Sequence, residues 1–254
     1  MFFVKGLHLK VFVLHSFRFY SMTCIFVEVI MRKRIKLKDR ILPNYSKGEE
    51  IFNMVSHIVG GALGVAALVL CVVFAAKEAD ALTVVGCAIY GASLVILYTM
   101  SSVYHGLSKG MPKKVLQVLD HCTIYLLIAG TYTPVLFGAM HRKYPVLSWV
   151  IFGIVWGCAI IAGTLTAIDL KKFEKFSLVC YVVMGWVIIF FIKQTYDSVG
   201  TGGLVFLITG GVAYTLGSVL YVVGKKKKWI HSVFHLFILA GSILQFFAII
   251  FYAI

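Results

Sequence analysis

From position 51 onward the chain is built of long apolar runs separated by short polar breaks. Seven runs stand out, at roughly 51–76, 82–104, 115–139, 146–168, 176–192, 203–223 and 230–253. At 1.5 Å of rise per residue, a helix of about 20 residues crosses a hydrocarbon core of about 30 Å. The runs are continuous. A membrane barrel would instead show alternating segments of roughly ten residues. The pattern therefore predicts an all-α, polytopic membrane protein, a bundle of seven transmembrane helices filling residues 51–254 with no room for an extramembrane domain. Glycines gather in the first and sixth runs (Gly60, Gly61, Gly64; Gly202, Gly203, Gly210, Gly211, Gly217), which predicts close approach of helix backbones there. Pro134 predicts a kink in the third run, with Thr131 and Thr133 placed to satisfy freed backbone groups.

Residues 1–50 form a basic N-terminal segment. Its first thirty residues mix aromatic and basic side chains (Phe2, Phe3, Lys5, Lys10, Phe12, Arg18, Phe19, Tyr20). The apolar stretch near Phe19–Met31 is too short to span and is broken by Glu28. No small-residue cleavage site of the signal-peptide kind is evident. These thirty residues read as sequence upstream of a native start at Met31, with an interfacial amphipathic segment as the alternative.

Composition narrows the class. The chain of 254 residues is 61% hydrophobic and 13% charged, with a mean hydropathy of +0.95. Soluble domains run about 45–50% apolar and about 25% charged, so a water-soluble enzyme is excluded, as is disorder. The net charge of +14 would suggest nucleic acid in a soluble protein. Here its distribution gives another meaning. Arg32, Lys33, Arg34, Lys36, Lys38, Arg40 and Lys47 precede the first run; Lys109, Lys113 and Lys114 follow the second, Lys171, Lys172 and Lys175 the fourth, and Lys225–Lys228 the sixth. The alternate loops carry only Lys77, Arg142, Lys143 and Lys193. Basic residues concentrate on cytoplasmic loops, so the N-terminus is predicted inside and the C-terminus outside. The predicted partner is membrane lipid, with no nucleic acid and no soluble protein partner implied. The six cysteines (Cys24, Cys71, Cys87, Cys122, Cys158, Cys180) form no CxxC pair and read as small hydrophobes.

Ionisable groups within a bilayer are costly and mark function by default. Asp120 is the one acid well inside a run, and His57, His105, His121, His231 and His235 lie within runs or at their ends. With the predicted orientation, all of these fall within one layer near the inner interface. His231 and His235 are four residues apart, so both face one side of a helix. His105 would be a third nitrogen ligand from another helix. Three neutral imidazoles and a water make a tetrahedral zinc site with one open position, and Asp120 would hold that water as general base. Ser101, at i−4 from His105, would orient it or assist a carbonyl oxygen; Ser102, at i−3, is a second candidate. The stretch His231-Ser232-Val233-Phe234-His235 lacks the glutamate of zinc-protease HExxH, so the base must come from elsewhere, and Asp120 is the only intramembrane carboxylate in this reading. An interhelical hydrogen-bond network is the competing explanation of the same groups. His57 reads as a packing residue or one behind the ligands, His121 as facing away from the site, and Trp149 and Trp229 as interface anchors.

Taken together, these residues resemble a known family. Ser101-Ser102-Val103-Tyr104-His105, Leu119-Asp120-His121, the stretch Ile124–Pro134, His231–Ser242 and the set Glu50, Asn53, Ser56, His57 look like the bacterial hemolysin III family. That family is related to the progestin and adipoQ receptors and, more distantly, to the alkaline ceramidases. The resemblance covers about residues 45–254 and leaves out residues 1–30. It implies seven transmembrane helices with the N-terminus inside. It implies a zinc ion on His105, His231 and His235, with Asp120 linked to it through water and Ser101 in the same motif. Three functions follow as expectations: zinc-dependent hydrolysis of lipid amides or esters, a cytolytic pore, or a receptor-like sensor of membrane lipid with structural zinc. A pore should show polar residues along the full depth of several helices, and Val65–Ala76, Ala81–Ala92 and Ile243–Ile254 are nearly all apolar.

Overall fold

The computed structural model describes residues 34–254. The expectations about residues 1–30 and a start at Met31 lie outside the described residues. The helices are α1 Lys47–Glu78, α2 Ala81–Gly106, α3 Met111–Phe137, the short α4 Ala139–Lys143, α5 Pro145–Ile168, α6 Glu174–Gly185, α7 Ile192–Gly224 and α8 Ile230–Tyr252. Among the described residues there is no strand. Among the same described residues six helical stretches are long and apolar enough to cross a membrane: α1, α2, α3 with α4, α5, the 51-residue run Glu174–Gly224, and α8. Their outward side chains are apolar too: Ile160, Ile161 and Phe251 are each about two-thirds exposed, as expected where lipid takes the place of water.

Local chemistry sets the helix ends. α1 begins with a capping box, Ser46 accepting from the Glu49 amide at 3.3 Å while the Glu49 carboxylate accepts from the Ser46 amide at 2.9 Å. Asp80 caps α2 by accepting from the Thr83 amide at 2.8 Å. Proline occupies the first turn of both α3 and α5, where its missing N–H is no loss. Within α3, Thr131 and Thr133 donate to the carbonyls of Leu127 and Ala129. Both carbonyls precede that of Gly130, the one Pro134 leaves without its helical donor, so neither threonine takes the place expected of it from the sequence.

The runs expected separately at 176–192 and 203–223 are joined here. α6 gives way to a 3₁₀ turn, Val187–Phe191, and then to α7. Gly200 breaks the helix with φ 67° and ψ −175°, a conformation open to glycine and strained for other residues. The run folds back there. Lys225, just past its end, pairs with Glu174 at its start at 2.5 Å. Asp197, near its middle, accepts from the Tyr144 hydroxyl at 3.1 Å at the opposite end of the bundle. A single left-handed glycine supplies the reversal, so the helical run continues without a loop.

Contacts at the helix ends place the basic segments together. The Ile35 amide donates to Asp169 at 2.8 Å, Lys109 to Asn44 at 2.9 Å, and Lys114 to the Lys38 carbonyl. Residues 34–46 thus lie across the same end as the loops at 107–110, 169–173 and 225–229. The glycine-rich faces pack as their composition predicts: a Cβ on Gly60 would meet the Tyr98 ring at 2.6 Å. Cys71 and Cys87 are fully buried, and all five described cysteines are free.

Candidate metal centre

The centre is assembled at the end that carries the basic loops. His231 and His235 lie in the first two turns of α8, and their Nε2 atoms face each other at 3.1 Å. His105 arrives from the last turn of α2. One nitrogen from each of the three rings lies within 4.8 Å of the others, close enough for all three to hold one metal ion. All three residues are buried. The Nε2 of His105 and the Nδ1 of His235 are buried with no hydrogen-bond partner. Buried polar atoms are normally satisfied, and a shared cation is the partner that suits converging imidazoles.

The start of α8 is anchored by α1. Trp229 precedes the helix with φ 64°, a left-handed conformation uncommon for a bulky residue. Its amide donates to Glu49 Oε1 at 2.6 Å. The carboxylate that closes the capping box of α1 therefore also fixes where His231 begins.

The next residue, Glu50, meets the third candidate ligand. Its Oε2 lies 2.7 Å from Nδ1 of His105, and its Oε1 accepts from Lys113 at 2.7 Å. A carboxylate on Nδ1 holds the proton there and leaves Nε2 free as a lone-pair donor. Lys113 is itself buried, donating also to the carbonyl of Leu107 at 2.9 Å, and compensates the Glu50 charge. The sequence points to Asp120 as the only intramembrane carboxylate; the structure sets a second carboxylate, that of Glu50, against His105. Glu50 lies just before the apolar run, where sequence alone places it in the interface, but α1 begins earlier and carries it beside His105. Glu50, Asn53 and His57 are spaced three and four apart, a helical face legible in the sequence whose target was not.

A cavity of about 170 Å³ opens beside the histidines. Asp120 and Ser101 line it together with His57, His231 and His235. The structure thus brings Asp120 and Ser101 onto the same cavity wall as two of the three candidate ligands. Because Nδ1 of His105 is taken by Glu50, Ser101 does not orient that ring through this atom. His121, read from its angular offset as facing away, also lines the cavity. Its Nδ1 is engaged by the Gln117 carbonyl at 2.8 Å and its Nε2 by the Tyr221 hydroxyl at 3.2 Å. The cavity is wide enough to receive adjacent residues of one helix, which a 100° offset does not reveal. His57 packs its ring centroid 3.9 Å from that of His235, with both ring nitrogens unpartnered, and Asn53 is likewise buried without partners. Ser102 donates to the Thr99 carbonyl at 3.0 Å.

Tyr45, just before α1, was not singled out by its sequence context. Its ring stacks on His231 at 4.7 Å with 17° between planes, and burial holds its phenol above the usual range. It lines the cavity together with Pro43.

The chain is similar to known proteins over most of its length. The family described as Haemolysin-III related matches residues 45–246. The chain is 36% identical over 206 residues to Hemolysin-3 of Bacillus cereus, covering 81% of this chain and 92% of that protein. It is equally similar to the Hemolysin-3 homolog of Bacillus subtilis (strain 168), of which 95% is covered. Monocyte to macrophage differentiation factor of Homo sapiens is 27% identical over 168 residues, 63% of this chain and 67% of that one.

Proposed function

The chain belongs to the haemolysin-III-related family of membrane proteins, and from that premise we propose that it is a zinc-dependent intramembrane hydrolase of lipid amides or esters. The observation that carries this reading is the convergence of three buried imidazoles beside a cavity lined by Asp120 and Ser101. The donor set suits zinc, which takes neutral imidazole nitrogens at about 2.0–2.1 Å in tetrahedral sites. When bound, zinc supplies a Lewis acid that polarises a carbonyl and makes water acidic near neutral pH. His105, His231 and His235 would hold it, with Glu50 keeping His105 in the ligating tautomer. Asp120 takes a proton from the attacking water as general base. Ser101 donates to the substrate carbonyl oxygen. Tyr45 and Pro43 keep the bulk water out.

The reading includes seven crossings, with the run Glu174–Gly224 traversing twice about Gly200, and an N-terminus inside and C-terminus outside. The basic loops gathered at the histidine end support that orientation. The scissile linkage then sits just below the inner headgroups, with the apolar tail in the cavity.

The test is metal content and turnover of a broad panel of labelled lipid amides and esters by purified protein. Asp120→Asn is expected to keep the metal and lose turnover by about 10²-fold or more. Equal turnover in wild type and Asp120→Asn removes the hydrolase. A second reading, lysis of membranes, is favoured by the name Hemolysin-3 of the Bacillus cereus relative. Bilayer conductance that survives replacement of His231 and His235 by alanine would select it.

A further inference from the structure

Six tyrosines line the cavity: Tyr45, Tyr104, Tyr132, Tyr181, Tyr214 and Tyr221. Four of their hydroxyls are engaged within the protein. Tyr132 donates to the Gly185 carbonyl at 2.9 Å and Tyr181 to the His121 carbonyl at 2.8 Å, while Tyr214 meets Ser242 Oγ at 2.9 Å and Tyr221 meets His121 Nε2 at 3.2 Å. The hydroxyls of Tyr45 and Tyr104 make no hydrogen bond among the described residues, and neither is shut away from a water-sized molecule.

Of these two open phenols, Tyr104 is the more enclosed. The residue is only 3% exposed, so what it leaves uncovered is cavity wall. Its phenol interacts electrostatically with Tyr45, Asp120, Glu50 and Tyr221. Three of these, Tyr45, Asp120 and Tyr221, line the same cavity. Its ring centroid stands 4.6 Å from that of His105, and Lys113 Nζ lies 5.2 Å from the same centroid. The ring is thus held by its surroundings while its hydroxyl is left free.

The last turns of α2 carry Ser101, Tyr104 and His105 together. Ser101 and Tyr104 are three residues apart, neighbours on one helix face, and both line the cavity. Ser101 Oγ is likewise neither bonded nor sealed. One rigid helix therefore fixes two open donors relative to a candidate metal ligand. Asp120, when ionised, can only accept, so an acceptor on the ligand must be met by these hydroxyls. A carbonyl oxygen has two lone pairs and can take both.

We propose that Tyr104 is a further substrate-binding residue, its phenol donating beside Ser101 to the carbonyl oxygen of a lipid held at the histidines. This rests on the hydrolase reading for the place of that carbonyl and adds its second donor. The phenol keeps its proton throughout. As the carbonyl oxygen gains charge during attack, donors already aimed at it count for most.

The probe is a long-chain ketone, isotopically labelled at its carbonyl carbon, which presents the acceptor and cannot be hydrolysed. It is bound to purified full-length zinc-loaded protein, and the infrared band of the labelled carbonyl is read. Wild type is expected to lower the band relative to the same ketone in plain lipid. Tyr104→Phe keeps the ring beside Lys113. It is expected to raise the band part of the way back and to weaken ketone binding about two- to tenfold, at unchanged metal content. In turnover of amides or esters, the same variant is expected to lose about 10²–10³-fold in kcat. Fluorotyrosine at position 104, a stronger donor on the same ring, should lower the band further. A wild-type band no lower than in plain lipid overturns the proposal without reference to any variant. A band left unmoved by Tyr104→Phe or by fluorotyrosine overturns the assignment to that residue. A ketone that fails to bind wild type overturns the proposal together with the lipid-ligand part of the hydrolase reading, whereas the expected bands without turnover of any amide or ester strike only the hydrolase.

Discussion

At the histidine end, α1, α2, α3 and α8 meet through charged and aromatic side chains: Glu50 between His105 and Lys113, Glu49 on the Trp229 amide, Tyr45 on His231. At the far end the same helices meet through backbone and small residues. The Ala139 amide donates to the Ala253 carbonyl at 2.9 Å, and the Thr83 hydroxyl reaches the Phe137 carbonyl at 3.4 Å. Between them, Gly91 lies so close to α1 that a Cβ would stand 2.5 Å from the Leu68 backbone. The histidine end leaves ring nitrogens of His57, His105 and His235 buried without partners, whereas toward the middle and far end helices approach to backbone contact. The difference teaches that close backbone approach in the middle and far end holds the bundle together, while the histidine end is where the ligand of the proposed function would be held.

Substitutions at the two ends should therefore separate binding from stability. The largest effect is expected for His235→Ala. Removing one of three ligands should abolish metal retention, read by elemental analysis of the purified protein. Undiminished metal would show that these rings form only a hydrogen-bond network. Next is Glu50→Gln, which removes the charge that fixes the His105 tautomer and leaves Lys113 unpaired. Metal affinity, measured by chelator competition, should fall about 10–100-fold, and an unchanged affinity would leave Glu50 with no orienting part. Gly91→Ala should do the reverse. Its extra carbon presses on backbone, costing about 1–3 kcal/mol by the measure of overpacked cores, so the melting temperature falls while metal stoichiometry holds. The smallest effect is expected for Asp80→Ala, the far-end cap of α2, at about 1 kcal/mol. The Thr83 amide and hydroxyl hold the Asp80 carboxyl below its ordinary range. The stabilisation it gives is thus present above the ordinary carboxylate pKa and is lost as pH falls through the lowered one. Thermal melts of both proteins in a soluble-lipid environment should accordingly converge in acid; a gap that persists there would assign the effect to packing.

Much of this was legible along the chain. Apolar runs long enough to cross a bilayer located the helices, since backbone groups in lipid must be bonded within their own segment. The spacing of His231 and His235 gave their shared face, and the basic loops placed His105 and Asp120 in the same layer. Glu50 carried part of the family resemblance, but its contact with His105 was hidden because a charged residue at the edge of an apolar run looks the same whether it faces headgroups or a neighbouring helix. His121 was hidden because angular offset on one helix says nothing of how wide the facing cavity is. A reversal between residues 192 and 203 was expected from the two separate runs; that Gly200 makes it was hidden because glycines abound there, and only the backbone dihedral marks the one that turns.

By itself, then, the order of residues determined the class of solvent, the approximate helices, the shared depth of the ionisable groups and the family. Those are properties of hydrophobic length, charge and period, which are local and additive along the chain. Only the folded bundle decided which carboxylate touches His105, that Tyr45 covers His231, and that Tyr104 keeps an open hydroxyl in the cavity. Each of these depends on the rotation and approach of helices far apart in sequence, and that geometry is set by the packing of all of them at once.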